Sequence, residues 1–537
     1  MLSSKITVAI PENGIIVRRT GKYKYVYKVL ETYRNKKGQP TNKRKLIGRL
    51  DHTGQRLVPN DNYYELYEPE LSLDALVESG NASVVSVGVP FVVTSIFTRL
   101  NVAKILKNVF GVRRAMNIIT AVAYMVSKGN VFEHVTYWCE DSIINGANLT
   151  PQKSSALFAS ITYEERMTFF KEWIAAVSPQ GYLAYDVTSF SSYAEGIIEL
   201  EWGYNRDGDK LPQINLGCYL SQELNLPMFY VTYPGSIVDK SHFSYMMAYN
   251  KDLGLSKDIV FVMDRGFCST VNINYMHSEG IHYIMGVNLR TKATEAAIDN
   301  VREKIVVLRN MAGKGIYALS EHGRYYGEAS TIHVYNSPEL GERQRADLLR
   351  TVEDMETRLK QYKTLQDKEF KYFSRFFDIE LNESISFTRN YDKIDEAAKN
   401  CGFFCILTNT NLSSAEVLKI YKEKDVIEKG FDDIKNHIDM KRLRVHSDAT
   451  VAGKLFCAFL ALIITSEMTN CLQKYNSSND KRTLSKRGLI NELEKLRIIG
   501  SSSKWRLINP LSKTQRDLLD LLDINDYDFV KFTASNS

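Results

Sequence analysis

Little in this chain of 537 residues suits the commoner enzyme chemistries. Its seven cysteines are scattered at 139, 218, 268, 401, 405, 457 and 471. An odd count without a spacing pattern argues against a disulfide framework and for free thiols in a reducing compartment. Cys401 and Cys405 have no second pair and lie in an apolar stretch, so buried thiols explain them better than a metal site. None of the nine histidines has a metal-ligand spacing. No glycine-rich loop precedes a helix to cradle phosphates, and SYAEG is not a nucleophile elbow. The opening residues, MLSSKITVAIPENG, lack a basic region followed by an apolar run, so no signal peptide is expected. The longest uncharged run, Ser79 to Thr98, is broken by Pro90 and reads as a buried strand and helix rather than a membrane span. No period of 20–50 residues signals a repeat architecture. A cytoplasmic protein with no membrane partner is the expectation.

What is present is a globular composition, 44% apolar and 25% charged, in a chain too long for one core. The net charge of +6 is unevenly spread. Between Arg18 and Arg49 stand twelve Lys or Arg against Glu31 alone, a local +11 that leaves −5 for the rest. A basic segment on a mildly acidic body points to a polyanion met by one part of the chain. There KYKYVYKV alternates with a period of two, placing Tyr23, Tyr25, Tyr27 and Val29 on one face and Lys24, Val26 and Lys28 on the other. NKKGQ supplies a turn and TNKRKLIGRL returns, which predicts a hairpin with an exposed basic face. Lys22, Lys24, Lys36, Lys37, Lys43, Arg44 and Lys45 are its candidate phosphate contacts.

The pattern divides the chain into six segments. Residues 1–60 form the basic hairpin arm and 61–177 a helical DNA-binding region, with Arg113, Arg114 and Lys128 as weaker nucleic-acid contacts. Residues 178–290 alternate strands and helices, as in a mixed α/β sheet. Residues 291–400 are less regular and read as an insertion domain. The α/β pattern resumes over 401–475, with a buried strand, a long helix AEVLKIYKEKDVIEKGFDDIKNH and an apolar helix behind it. Residues 476–537 make a peripheral tail.

Three carboxylates stand out by placement. Asp186 closes the apolar strand GYLAYD, and Asp264 ends VFVMD. Ligands of α/β sheets bind outside strand ends, so two such Asp residues reinforce each other, although turn-making is the alternative for each. The third comes from the helix. Stepping about 100° per residue from Tyr421, residues Lys424, Glu428 and Lys435 fall within about 60° of it. Ile427, Phe431 and Ile434 form an apolar stripe alongside. Glu423 and Asp433 point away and are expected to face solvent. Asp425 and Asp432 remain rivals to Glu428, because periodicity alone does not separate them. Hard oxygen ligands without a Cys/His site favour Mg²⁺ or Mn²⁺ over zinc.

The pattern Tyr421-x2-Lys424-x3-Glu428-x6-Lys435 resembles the Y-x2-R-x3-E-x6-K signature of DDE transposases from bacterial insertion sequences, in the insertion-sequence 4 superfamily. YDVTSFS, NRDGDKLPQINLG and MDRGF agree in kind and order, and the resemblance covers roughly 180 to 475. It implies a ribonuclease-H-like catalytic core, of the retroviral-integrase type, interrupted by an insertion domain. It implies Asp186, Asp264 and Glu428 as the catalytic and metal-binding triad, with two Mg²⁺ (or Mn²⁺) ions. Tyr421, Lys424 and Lys435 would grip phosphates near the scissile bond, with Arg265 as a further DNA contact. Lys424 departs from the family's Arg; it keeps the charge but loses the bidentate fork. Related hairpin-forming enzymes stack a displaced base on an insertion-domain Trp. Here the Trp residues lie at 138, 173, 202 and 505, none in the insertion, so either Tyr317, Tyr325, Tyr326 or Tyr335 substitutes or the hairpin step differs. The implied activity is cleavage at inverted repeats and joining of the 3′-OH to target DNA by a dimer. A nuclease of the same fold and a domesticated, non-catalytic DNA-binding protein are the alternatives.

Overall fold

Strands Tyr182–Ser191 and Gln213–Ser221 are buried along nearly their whole length, as only the centre of a sheet covered on both faces allows. The computed structural model describes the chain apart from residues 1–6, 22, 52, 73–74, 76–82, 145–148, 204–207, 209, 382–384, 479–482, 502–503, 525–531 and 533–537. Numbered along the chain, β1 (Ile15–Thr20), β2 (Tyr23–Arg34), β3 (Pro40–Leu50) and β4 (Leu57–Pro59) form an antiparallel sheet in that order. Helix Asp61–Tyr67 closes this sheet around Val26, Ile47, Leu57 and Tyr64. β5 (Ser83–Ser86) precedes the long helices Gly88–Arg99, Val102–Lys128 and Tyr163–Val177.

The main sheet begins with β6 (Tyr182–Ser191), β7 (Gln213–Ser221) and β8 (Leu226–Pro234), an antiparallel meander. β9 (Val260–Met263) runs parallel to β6, and β10 (His282–Val287) parallel to β9. β11 (Met311–Gly313), β12 (Ile316–Tyr325) and β13 (Glu328–Asn336) come next. After a small unit holding β14 (Phe377–Leu381) and β15 (Ile385–Arg389), β16 (Phe403–Thr408) returns to the sheet. The order is β11-β12-β13-β16-β10-β9-β6-β7-β8, a nine-stranded mixed sheet.

The segment read as an insertion therefore divides. Its first part extends the main sheet through the β12–β13 hairpin, and only the part from helix Pro338–Leu359 to helix Tyr391–Ala398 builds a core of its own, around Val352, Met355, Phe373 and Phe377. Strand signals alone could not show which sheet a hairpin joins, because either face of GRYYGEASTIHVY can be buried.

Helix Asp448–Ser477 packs against β8 and the long helices of 88–177. This helix and Val102–Lys128 are long and apolar enough to cross a membrane, but their most apolar stretches are mostly buried in the protein.

The tail is not peripheral. β17 (Arg497–Ser501) pairs with β5 and with β18 (Lys504–Leu507), giving a three-stranded sheet made from both ends of the chain. Helix Lys486–Glu494 buries Leu489, Ile490 and Leu493. Arg506 is buried, pairs with Asp61 at 2.6 Å and stacks on Tyr64, so the tail also anchors the N-terminal sheet. Its basic residues Lys481 and Arg482 lie outside the described residues.

Candidate active site

Parallel pairing of β6 and β9 ends at Tyr185 and Met263. Asp186 and Asp264 are the next residue on each strand, so their side chains leave neighbouring strands at the same level of the sheet. Asp186 does not close its strand as expected, since β6 continues to Ser191; it stands where the parallel neighbour stops. Asp186 is buried and accepts from the Val187 N–H at 2.8 Å. Asp264 caps the short turn Arg265–Phe267, accepting from the Arg265 N–H at 2.6 Å.

Tyr421 lies at the end of helix Ser414–Glu423 and reaches across β10. A Cβ at Gly286 would lie 2.5 Å from the Tyr421 hydroxyl and 3.2 Å from the Arg265 nitrogen. Gly286 follows Met285, the partner of Met263, so the bare backbone beside Asp264 makes room for the phenol. Burial pushes the Tyr421 phenol well up, and the charges of Asp264, Asp186 and Glu428 push the same way while Arg265 opposes them. Three carboxylates from three elements thus bear on one hydroxyl. Of the rival carboxylates, Asp432 accepts from the Asn436 amide. Gly286 escaped the sequence reading, although a glycine inside an apolar strand is a sign of close approach. Gly286→Ala is expected to displace the Tyr421 ring and to cut the activity of this site by about 100-fold. Urea unfolding should meanwhile move by no more than about 2 kcal/mol; a large stability loss with unchanged activity would contradict this.

The predicted single helix is broken at Lys424. Bonds from Lys424 N to Tyr421 O and from Ile427 N to Lys424 O span three residues, separating helix Ser414–Glu423 from helix Asp425–Asp432. This tighter turn folds Lys424 inward. Its ammonium lies 6.0 Å from the Tyr421 ring centroid and 3.4 Å from Glu428 Oε1. The lysine side chain is 9% exposed, whereas Glu428 is 61% exposed. Residues Asp433–His437 then form a π-helical turn. Asp433 is buried where the tail helix lays Lys486 against it, which corrects the reading of that residue as solvent-facing. Despite this ion pair, burial still holds the Asp433 carboxyl above the usual range. Lys435 is buried on the same turn.

The other proposed contacts are scattered. Lys24, Lys36, Lys37 and Lys43 are exposed on the N-terminal sheet, and Arg265 is exposed beside Asp264. Lys45 is paired with Glu65, and Arg44 stacks on Tyr27 with 5.1 Å between guanidinium and ring. Lys22 lies outside the described residues. The expected basic face is corrected: Val26 between Lys24 and Lys28 is buried in the sheet's core, and Lys28 lies over the Tyr67 ring. The tyrosine face carries cations of its own, with Arg49 over Tyr23. Arg114 and Lys128 are occupied by Glu165 and Glu494, at 2.7 and 2.6 Å. Tyr335 is unsuited to receiving a base, being buried, stacked on Phe404 and donating to the Ser414 carbonyl at 2.8 Å. Tyr317, Tyr325 and Tyr326 are partly buried against the main core.

All three carboxylates are hard oxygen donors and suit a divalent cation. They are not drawn together as a coordination shell: among the described residues no three Asp, Glu, His or Cys side chains could share an ion. Glu428 is instead held beside Lys424.

A large mixed sheet with two carboxylates on adjacent strands where their parallel pairing stops, faced by a helix with a third, defines a protein of the α/β class with an acidic site. Residues 179–464, more than half of the chain, match the family described as transposase DDE domain. The chain belongs to the DDE transposases, a family that generally uses divalent metal ions. Among solved structures it is similar to a piggyBac transposase synaptic complex with hairpin DNA, at 9% identity and TM-score 0.36, over 72% of this chain and 70% of that one. No curated protein matches the chain.

Proposed function

We propose that this protein is a DNA transposase of the insertion-sequence 4 type that cuts at the inverted repeats of its element and joins the freed 3′-OH to target DNA. The observation that carries this reading is the placement of Asp186 and Asp264 side by side where the parallel pairing of β6 and β9 stops, inside the stretch that matches the transposase DDE domain, with Glu428 beside Lys424 on the following helix. Strands β8, β7, β6, β9 and β10, an antiparallel meander continued by two strands parallel to β6, support a ribonuclease-H-like core.

A phosphodiester resists attack because its oxygens are anionic, so the site must neutralise charge and hold nucleophile and leaving group in line. Asp186, Asp264 and Glu428 would hold Mg²⁺ or Mn²⁺, which supplies charge neutralisation and lowers the pKa of an attacking water. Lys424, held between the Tyr421 ring and Glu428, would take a phosphate oxygen beside the carboxylates. Tyr421 keeps its proton throughout, because its raised pKa makes it a donor toward anionic oxygen at any ordinary pH. Lys435 and exposed Arg265 extend the positive lining, and the N-terminal sheet grips DNA away from the chemistry. A dimer bridging two element ends in the bacterial nucleoid completes this reading.

Purified protein with Mg²⁺ and the DNA flanking its gene should give nicks at repeat ends and then joined products, both abolished by chelation. Cleavage without joining would make it a nuclease, and neither product would leave a non-catalytic binding protein. Replacing Lys36, Lys37 and Lys43 by Gln should weaken binding to all sequences alike and lower the slope of log affinity against log salt by about 2 to 3. An unchanged slope would remove the arm from the DNA path.

A further inference from the structure

Beneath the loop after the π-helical turn lies a cavity of about 440 Å³ that the catalytic reading does not use. Its floor holds Lys454, 2% exposed, and Ser154, 1% exposed. The Lys454 ammonium donates to Asn130 Oδ1 and to the Leu443 carbonyl, both at 2.9 Å, which uses two of its three protons. The Ser154 hydroxyl is buried with no hydrogen-bond partner. Arg444 and His446 stand exposed at the mouth, with Glu133 as the acid on its rim. Arg444 is half-exposed and lies 3.4 Å from Asp439. Two helices, Pro151–Ala159 and Asp448–Ser477, begin at this cavity through Pro151 and Ser447, and their positive ends favour an anion there.

A lysine that only pinned the loop would need no further donor beside it. Here an orphaned hydroxyl, the Lys454 ammonium, which also lies 5.8 Å from the Phe132 ring, and the Asp439-paired Arg444 line one void. The apolar edges of Phe132 and Phe158 in the lining suit the sugar carbons on either side of a phosphodiester. Burial, and then the neighbouring Arg444 charge, lower the Lys454 pKa to about 7, a cost that a bound anion would relieve. The loop is also held firmly. The Asn130 amide donates to the carbonyls of Asp439 and Arg442, and Ser191 exchanges backbone bonds with Lys441 and Leu443. Ser191 ends β6, the strand that carries Asp186.

We propose that this cavity is a phosphate-binding site in which Lys454, Ser154 and Arg444 hold one backbone phosphate of the DNA engaged by the active site. The proposal rests on the transposase reading, and its test keeps the two apart. DNA binding is measured with chelator present, so that no chemistry occurs, and dimethyl phosphate is titrated separately as the smallest phosphodiester. Ser154→Ala removes a donor without touching charge and should fold as the wild type does, with DNA affinity about 3- to 10-fold lower. Arg444→Gln should lose about 10-fold and lower the salt slope by about 0.9. Lys454→Met should abolish protection of the wild-type fold by dimethyl phosphate, and the other two variants keep the test decisive should it fail to fold. Wild-type affinity and salt slope in both Ser154→Ala and Arg444→Gln would overturn the proposal. Dimethyl phosphate binding that depends on these residues, with DNA affinity unmoved, would assign the cavity to a free phosphate and also overturn it. If the wild type itself binds no DNA, the transposase reading is what fails.

Discussion

Glu428→Ala is expected to lose DNA cleavage by about 10³-fold or more while folding normally and binding DNA close to wild-type strength. The side chain is 61% exposed, and among the described residues its ion pair is with Lys424 at 3.4 Å, so little folding free energy depends on it. Its charge nevertheless reaches the Tyr421 hydroxyl together with those of Asp186 and Asp264. Glu428→Gln keeps the size and loses the charge, and should be as inactive if the role is to hold a cation. Asp425→Ala and Asp432→Ala serve as controls and should stay within a few-fold of wild type, because the signature spacing assigns the role to Glu428 and Asp432 is engaged by the Asn436 amide. If Glu428→Ala cuts at the wild-type rate while either control is dead, the helix has been assigned in the wrong register. The assay is single-turnover cleavage at saturating protein, which separates chemistry from binding.

The helix around this residue shows how far sequence carries and where it stops. Apolar spacing marks Ile427, Phe431 and Ile434 as inward, and all three are buried. It places Tyr421, Lys424 and Glu428 along the edge of that stripe, and Lys424 does lie between the Tyr421 ring and Glu428. Periodicity does not choose among Asp425, Glu428 and Asp432, because their angles differ by less than the width of a stripe. It also assumes an unbroken 100° step. The tight turn at Lys424 and the π turn at Asp433–His437 each change that step, and neither leaves a mark such as Pro or paired Gly. Asp433 escapes a periodic reading because Lys486, 53 residues on, covers it. The two strand Asp residues are legible because a charge ending an apolar run is rare, but their adjacency depends on β6 and β9 being parallel neighbours across an intervening meander. The tail looks peripheral for a different cause. Its apolar residues are interspersed with charges, and two of the elements it packs on, β5 and helix Gly88–Arg99, are about 400 residues away in sequence.

That tail supplies the second large effect. Lys486→Met is expected to destabilise the protein by about 3 kcal/mol in urea unfolding, because removing one member of a buried ion pair leaves the other charge without compensation. Asp433 is the member left behind, buried on the π turn with its carboxyl already held above the usual range by burial. Without Lys486 the carboxyl pKa must rise further. A carboxylate whose folded pKa exceeds its unfolded one binds more protons when folded, so it costs stability above its folded pKa and nothing below the unfolded one. The deficit of Lys486→Met against the wild type should therefore narrow as pH falls into the carboxylate range. A deficit independent of pH would mean that lost packing, not the orphaned charge, is responsible. The double variant Asp433→Leu with Lys486→Met replaces the pair by apolar groups and should recover most of the stability. Its cleavage rate decides whether the pair does more than hold the fold. Lys435 rides the same π turn two residues on, so a recovered fold with cleavage still impaired would mean that the ion pair also sets the position of Lys435. Recovery of both would confine Asp433 and Lys486 to stability, with the π turn kept by its backbone alone.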